Sequence, residues 1–199
     1  SVTSRIWPNI ELQWEDIGGL PPMRRAAVIG AGSWGTAVAV LLARGGLEVQ
    51  LGTRTPDQAE AIATARENER YLPGVRLPEA IEVRPSSQIE LAGIDLVCLA
   101  VPSASYPQAV GALSDRIGRR AAILLLAKGL IAPKGQLPSE YVTERIQTRG
   151  VSCLGGPAHA REAVSGSAAL VLGTSDEDLK AQLGNVFDKA GLVCERSGD

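Results

Sequence analysis

Three glycines in the order GxGxxG stand in the run Val28-Ile29-Gly30-Ala31-Gly32-Ser33-Trp34-Gly35-Thr36-Ala37. They follow a short apolar segment, Ala26 to Ile29, and open an Ala-rich helical run through Ala43. A strand turning tightly into a helix aims unpaired N–H groups and the positive end of the helix dipole at one spot, where a pyrophosphate fits. Gly30 permits the turn, Gly32 lets the backbone approach the phosphates, and Gly35 lets the helix lie close on the sheet. Glycine-rich turns also occur as plain structural turns. The strand before and the helix after are the context a dinucleotide site requires.

Further candidates stand where strands should end. After Gly52-Thr53 comes Arg54, where an acidic residue would hydrogen-bond a ribose 2′-OH. Arg54 can instead receive a 2′-phosphate or stack on adenine, which tilts the cofactor from NAD toward NADP, or toward use of both. A solvated arginine in a polar loop is the plainer alternative. Ala100-Val101-Pro102-Ser103 closes another apolar run; Pro102 cannot extend a ladder, and Ser103 is a good N-cap for a helix after it. Lys128, directly after an apolar run, either reaches the cleft, to polarise a carbonyl or pair with a phosphate, or snorkels to the surface. Gly155-Gly156-Pro157-Ala158-His159-Ala160-Arg161-Glu162 is a Gly-Pro turn running into a helix start. His159 is the single histidine of the chain and has no carboxylate at a fixed partner spacing, so it reads as a packing or helix-start residue. Arg161 and Glu162 read as helix-surface charges or local partners.

The elements that position these residues alternate. Strands are expected at Ala26–Ile29, Glu48–Thr53, Asp95–Val101 and Ala121–Ala127, with weaker ones at Val151–Leu154, Ala168–Leu172 and Leu192–Glu195. Helices are expected over Trp34–Arg44, ended by Gly45-Gly46, from Pro56 onward, and near Asp176–Ala190. Continuous apolar strands between helices imply an α/β fold, a doubly wound, mostly parallel sheet of Rossmann type. Residues 1–22 fit neither period and read as a tag, a linker or the tail of a preceding segment; residues 23–199 read as one NAD(P)-binding domain.

A chain of 199 residues with 45% hydrophobic content can bury one α/β core. Its net charge of −2 gives no basic footprint for nucleic acid, and no apolar run approaches the ~20 residues of a membrane span. No signal peptide is visible, which fits a cytoplasmic protein. Cys98, Cys153 and Cys194 are odd in number and without metal-ligand spacing, so buried, reduced thiols and no metal site are expected.

Taken in order, these pieces resemble the N-terminal domain of NAD(P)-dependent glycerol-3-phosphate dehydrogenase. GAGSWGTA resembles that family's cofactor loop, and Asn68-Glu69-Arg70-Tyr71-Leu72-Pro73-Gly74 with Leu77-Pro78 resembles its N-x-x-YLPG…LP segment. AVPS at Ala100–Ser103, AKGL at Ala127–Leu130 and GPAHARE at Gly156–Glu162 come in the family's order over about residues 25–195. The resemblance implies cofactor contacts from Ser33, Trp34, Arg54, Lys128 and Ala160, and substrate contacts from Lys128, Gly156 and Ala158. It implies hydride transfer between NAD(P)H and dihydroxyacetone phosphate, giving sn-glycerol 3-phosphate for phospholipid synthesis. Family members often carry serine where Ala158 stands. They continue into a helical substrate domain that holds a second lysine as proton donor, so this chain alone is expected to bind cofactor and catalyse poorly. The full-length protein is a candidate homodimer. Two other readings compete: a stand-alone dinucleotide sensor without turnover, and a 2-hydroxy-acid or ketopantoate-type reductase.

Overall fold

The computed structural model describes residues 21–126 and 129–198. Eight strands of the described residues form one sheet: β1 (Arg25–Ile29), β2 (Glu48–Thr53), β3 (Ile81–Pro85), β4 (Leu96–Leu99), β5 (Ala122–Leu125), β6 (Gly150–Gly155), β7 (Ala169–Gly173) and β8 (Val193–Ser197). Their order is β3-β2-β1-β4-β5-β6-β7-β8. Neighbours from β3 through β6 are parallel, β7 runs antiparallel to β6, and β8 is parallel to β7. The doubly wound, mostly parallel sheet is thus as the apolar runs require.

Among the described residues six α-helices connect them: α1 (Ser33–Arg44), α2 (Pro56–Ala65), α3 (Tyr106–Leu113), α4 (Pro138–Thr143), α5 (Ala160–Ser165) and α6 (Glu177–Lys189). Thr55 caps α2, its hydroxyl accepting from the Gln58 N–H at 3.3 Å, and Asp176 caps α6 through the Leu179 N–H at 2.9 Å. Gly45 closes α1, and Gly46 turns the chain at φ +100°.

Strand periodicity sorts the core onto two faces. Ala26, Val28, Leu96, Cys98, Ala122 and Leu124 pack with α1, while Ala27, Ile29, Val97, Leu99, Ile123 and Leu125 face Tyr106 and Val110 of α3. Covering both faces is what makes these strands read as unbroken apolar runs. Fully burying a leucine such as Leu41 or Leu124 is worth ~1.5–3 kcal/mol. The start of β1 is tied to the start of β4 by the Asp95 carboxylate, which accepts from the Arg24 and Arg25 N–H groups at 2.8 and 2.9 Å.

Three expectations need correction. The strand Ile81–Pro85 is missing from the sequence reading, because its alternating Ile-Glu-Val-Arg-Pro pattern is that of a half-exposed sheet edge. Ser103 does not cap a helix: Ser103–Ser105 form a 3₁₀ turn, and α3 starts at Tyr106 without a side-chain cap. Of the thiols, Cys98 alone is fully buried; Cys194 is half-buried and Cys153 is exposed, because β6 and β8 lie where one sheet face is thinly covered. Residues 1–20, Ala127 and Lys128 lie outside the described residues.

Candidate functional site

The strand order reverses between β1 and β4, and in such sheets ligands take the crevice at the carboxyl ends of the strands. Here β1 to β4 all end on one cleft of about 1590 Å³, bounded by Gly30, Gly32, Arg54, Ser86, Val101 and Arg116 among others. Each glycine of the turn answers a different demand. Gly30 has φ +111°, and a Cβ there would lie 2.7 Å from the Ala100 carbonyl oxygen. Its N–H donates to Gly52 O at 3.0 Å, fixing the turn to β2. A Cβ on Gly35 would fall 1.8 Å from Gly30 O, so α1 approaches the turn at backbone distance. Gly32 has an ordinary φ of −79°, and a Cβ there would meet nothing within 4 Å. What its missing side chain leaves is room in front of the helix.

That room faces the start of α1, whose N-cap Gly32 offers no side-chain bond and whose first turn carries no acid. No side chain of the turn itself therefore neutralises the positive dipole end of α1. The geometry fits a dinucleotide pyrophosphate. Arg54 comes directly after β2 and lines the cleft with its side chain exposed; its backbone N–H donates to Gln58 Oε1 at 3.3 Å. Arg116 reaches the same cleft, anchored through a 2.6 Å bond to Ile89 O. Asp57, in the first turn of α2, also faces it.

A smaller hollow of about 240 Å³ lies beside α1's first turn, between Ser33, Trp34, Tyr71, Pro73, His159 and Ala160. The fold thus brings residues from three distant stretches together. Gly30, Gly32 and Arg54 border the large cleft; Ser33, Trp34 and Ala160 border the small one. Gly35 is packed under the turn. Gly156 and Ala158 border neither hollow. Gly156, at φ +152°, has its Cβ direction 2.9 Å from the Leu170 side chain, and Ala158 is buried. Lys128 lies outside the described residues.

His159 stands at the N-cap position of α5, its backbone N–H donating to Glu162 Oε2 at 2.7 Å. The helix-start reading holds, and Glu162 is its local partner. Arg161 is more than a surface charge: its guanidinium donates to Pro73 O and so ties α5 to the loop of Tyr71, Leu72 and Pro73. Asn68 escaped the reading of candidate sites. It is 2% exposed, and its Nδ2 donates to Ala31 O at 2.9 Å and Thr36 Oγ1 at 2.8 Å. A polar residue between charged neighbours carried no periodic signal; the N-x-x-YLPG pattern is the clue that was there. Among the described residues no cluster of three His, Cys, Asp or Glu could hold a metal, and no helix is long and apolar enough to cross a membrane.

Comparison with known proteins adds the family. Residues 25–180 match the model described as NAD-dependent glycerol-3-phosphate dehydrogenase N-terminus. A glycerol-3-phosphate dehydrogenase [NAD(P)+] of Deinococcus radiodurans is 43% identical over 173 residues, covering 86% of this chain and 51% of that protein. Its counterpart from Chlorobium limicola is 41% identical over 139 residues, covering 68% and 42%. The chain therefore spans about half the length of the curated relatives it matches. The crystal structure of glycerol-3-phosphate dehydrogenase from Coxiella burnetii superposes with a TM-score of 0.82 at 26% identity, covering 90% of this chain and 55% of that one. A ketopantoate reductase from Ralstonia eutropha shares the fold at a TM-score of 0.59 and 22% identity, covering 88% and 57%. The chain belongs to the family of NAD-dependent glycerol-3-phosphate dehydrogenase N-terminal domains.

Proposed function

We propose that this chain is the cofactor-binding half of an NAD(P)-dependent glycerol-3-phosphate dehydrogenase, acting on dihydroxyacetone phosphate and sn-glycerol 3-phosphate in phospholipid synthesis. The observation that carries the reading is the open space before Gly32 at the switch point of the sheet, in a chain whose residues 25–180 match this family. The bound dinucleotide supplies the hydride. Gly30, Gly32 and Gly35 shape the turn, Ser33 and Trp34 at the start of α1 contact the dinucleotide, and Arg54 takes the adenosine end. With Arg54 rather than an acid after β2, a 2′-phosphate is favoured, so NADPH is preferred over NADH. Ala160 lies against the cofactor, Gly156 and Ala158 against the substrate, and Lys128 polarises the substrate carbonyl. These roles rest on family resemblance, and for Ser33, Trp34 and Ala160 also on their meeting at one hollow.

Ketone reduction also needs a proton donor and a clamp for the substrate phosphate, and a general acid alone is worth ~10²–10⁴ in rate. Residues 23–199 therefore act as the cofactor domain, and a substrate domain in the whole protein supplies the donor. The whole protein is a cytoplasmic homodimer in this reading. Titration of the purified chain with NADPH and NADH, and then addition of dihydroxyacetone phosphate, tests it. Binding with little or no loss of nicotinamide absorbance is expected, with turnover restored in a protein extended by a relative's second half. Failure of both cofactors to bind overturns the reading; binding without turnover in the extended protein favours a sensor.

A further inference from the structure

We propose that Asn68 is a positioning residue that locks the dinucleotide turn to the 67–74 loop before any ligand arrives. The inference rests on the cofactor-binding reading above. Both Nδ2 hydrogens are spent on the turn: one on Ala31 O at 2.9 Å, between Gly30 and Gly32, the other on Thr36 Oγ1 at 2.8 Å, in the first turns of α1. Thr36 is fully buried and Asn68 is 2% exposed, so water does not compete for these bonds. A buried amide held by a residue 37 positions away is costly to place unless it is fully satisfied, and its donor side is.

The consequence for the ligand comes from peptide planarity. The Ala31–Gly32 unit is planar and trans, so its C=O and N–H point in opposite directions. Holding Ala31 O against Asn68 turns the Gly32 N–H the other way, toward the open side of the turn. Gly30 and Gly32 stand on either side of Ala31, and glycine has the most backbone freedom to lose on ordering. A clamp that removes that freedom in the free protein lowers what binding must spend.

The clamp's other end reaches the small hollow. The Asn68 carbonyl accepts from the Tyr71 and Leu72 N–H groups at 3.2 and 2.8 Å. Glu67 Oε1 accepts from the Gly74 N–H at 2.6 Å, and Arg161 of α5 holds Pro73 O. Tyr71 borders both the large cleft and the small hollow. The pyrophosphate seat, the wall between the two hollows and the start of α5 are thereby one connected body, with Asn68 as the joint.

The test compares probes with and without a pyrophosphate. In the 199-residue chain, Asn68→Ala is expected to weaken ADP-ribose and NADPH binding about tenfold, the effect of one lost buried hydrogen bond. Binding of adenosine 2′-monophosphate, which has no pyrophosphate, stays unchanged. Thr36→Val keeps the Ala31 bond and is expected to shift ADP-ribose binding by less than about threefold. Hydrogen exchange at the Tyr71 and Leu72 amides slows on adding NADPH to the parent chain and does not in Asn68→Ala. Asn68→Leu, which has the same branching and the same number of side-chain heavy atoms, carries the same expectations if the alanine variant does not fold. A merely structural role would change all three ligands alike or none. Parent-like affinity for ADP-ribose in the Asn68 variants, or equal loss for adenosine 2′-monophosphate, overturns the positioning role alone. A parent chain that binds neither NADPH nor ADP-ribose overturns the cofactor reading as well.

Discussion

Substituting Gly32 and Gly35 separately by alanine should split two properties that most glycine-loop variants lose together. At Gly35 the new methyl would sit 1.8 Å from Gly30 O and 2.9 Å from the Ala100 Cβ. Carbon and oxygen at rest stand ~3.3 Å apart, the lower end of weak C–H···O contacts, so the overlap is ~1.5 Å. Neither partner is a flexible side chain that can turn aside. Relief requires lifting α1 from β1 and β4, with buried Ala37, Val38 and Leu41 pulled from their contacts. Overpacking of this kind costs ~3 kcal/mol or more, against a whole-domain stability of ~5–15 kcal/mol. At Gly32 no atom lies within 4 Å of the new methyl and φ is −79°. The gain from a stiffer unfolded chain, ~0.4–1 kcal/mol, roughly offsets the poorer N-cap. Stability at Gly32→Ala should therefore stay within ~0.5 kcal/mol, while the methyl occupies the pyrophosphate's place. Losing one charge-assisted amide bond, ~1.5–3 kcal/mol, weakens NADPH by about ten- to a hundredfold. Urea unfolding gives the first quantity and nicotinamide fluorescence titration the second. A Gly32→Ala chain that binds NADPH like the parent, or that unfolds as early as Gly35→Ala, refutes the assignment of the open space.

Arg54→Ala should weaken NADPH about tenfold or more and NADH much less, in parallel titrations, because the guanidinium meets only the 2′-phosphate as a full charge; equal losses would refute the preference. Burial pushes the Cys98 thiol well above its ordinary value of 9.0, and Cys194 is pushed up to about 11 by burial and the neighbouring Asp188. A raised thiol keeps its stabilising share below the unfolded value and loses it as pH climbs above 9.0, where the unfolded chain sheds the proton first. Urea midpoints between pH 8 and 10 should thus fall more steeply in the parent than in Cys98→Ala, by up to ~1.4 kcal/mol per pH unit. Thiol-reactive dye at pH 8 should modify exposed Cys153 first and Cys98 only on unfolding.

Where the sequence carried its own context, the reading was sound. The β1–turn–α1 unit was legible because the glycine spacing is itself the geometry, and β4 and β5 because strands buried on both faces read as unbroken apolar runs. Ile81–Pro85 was not, since a five-residue edge strand with Glu82 and Arg84 outward looks like loop. The start of α3 was misjudged at Ser103 because a 3₁₀ turn intervenes before Tyr106. Arg54's position at the cleft is legible from its place after a strand, whereas the bonds of Asn68 join residues 32 and 37 positions apart and leave no local trace. Arg161 shows the same limit: its charge reads as surface, and only the fold brings Pro73 to it.

An open sheet ends somewhere, and among the described residues it ends on β3 and β8. Unpaired strand edges invite further strands, from the same molecule or from another. On β3, Glu82 and Arg84 stand exposed and paired at 2.5 Å, and Pro85 withholds an N–H from the final position. On β8, Glu195 is exposed and Arg196 turns back to Asp188 of α6. An incoming strand at either border would have to strip water from charges and accept a gap in its ladder. The sheet that gathers the cofactor cleft at its centre is thus guarded at its margins against growing into a fibre.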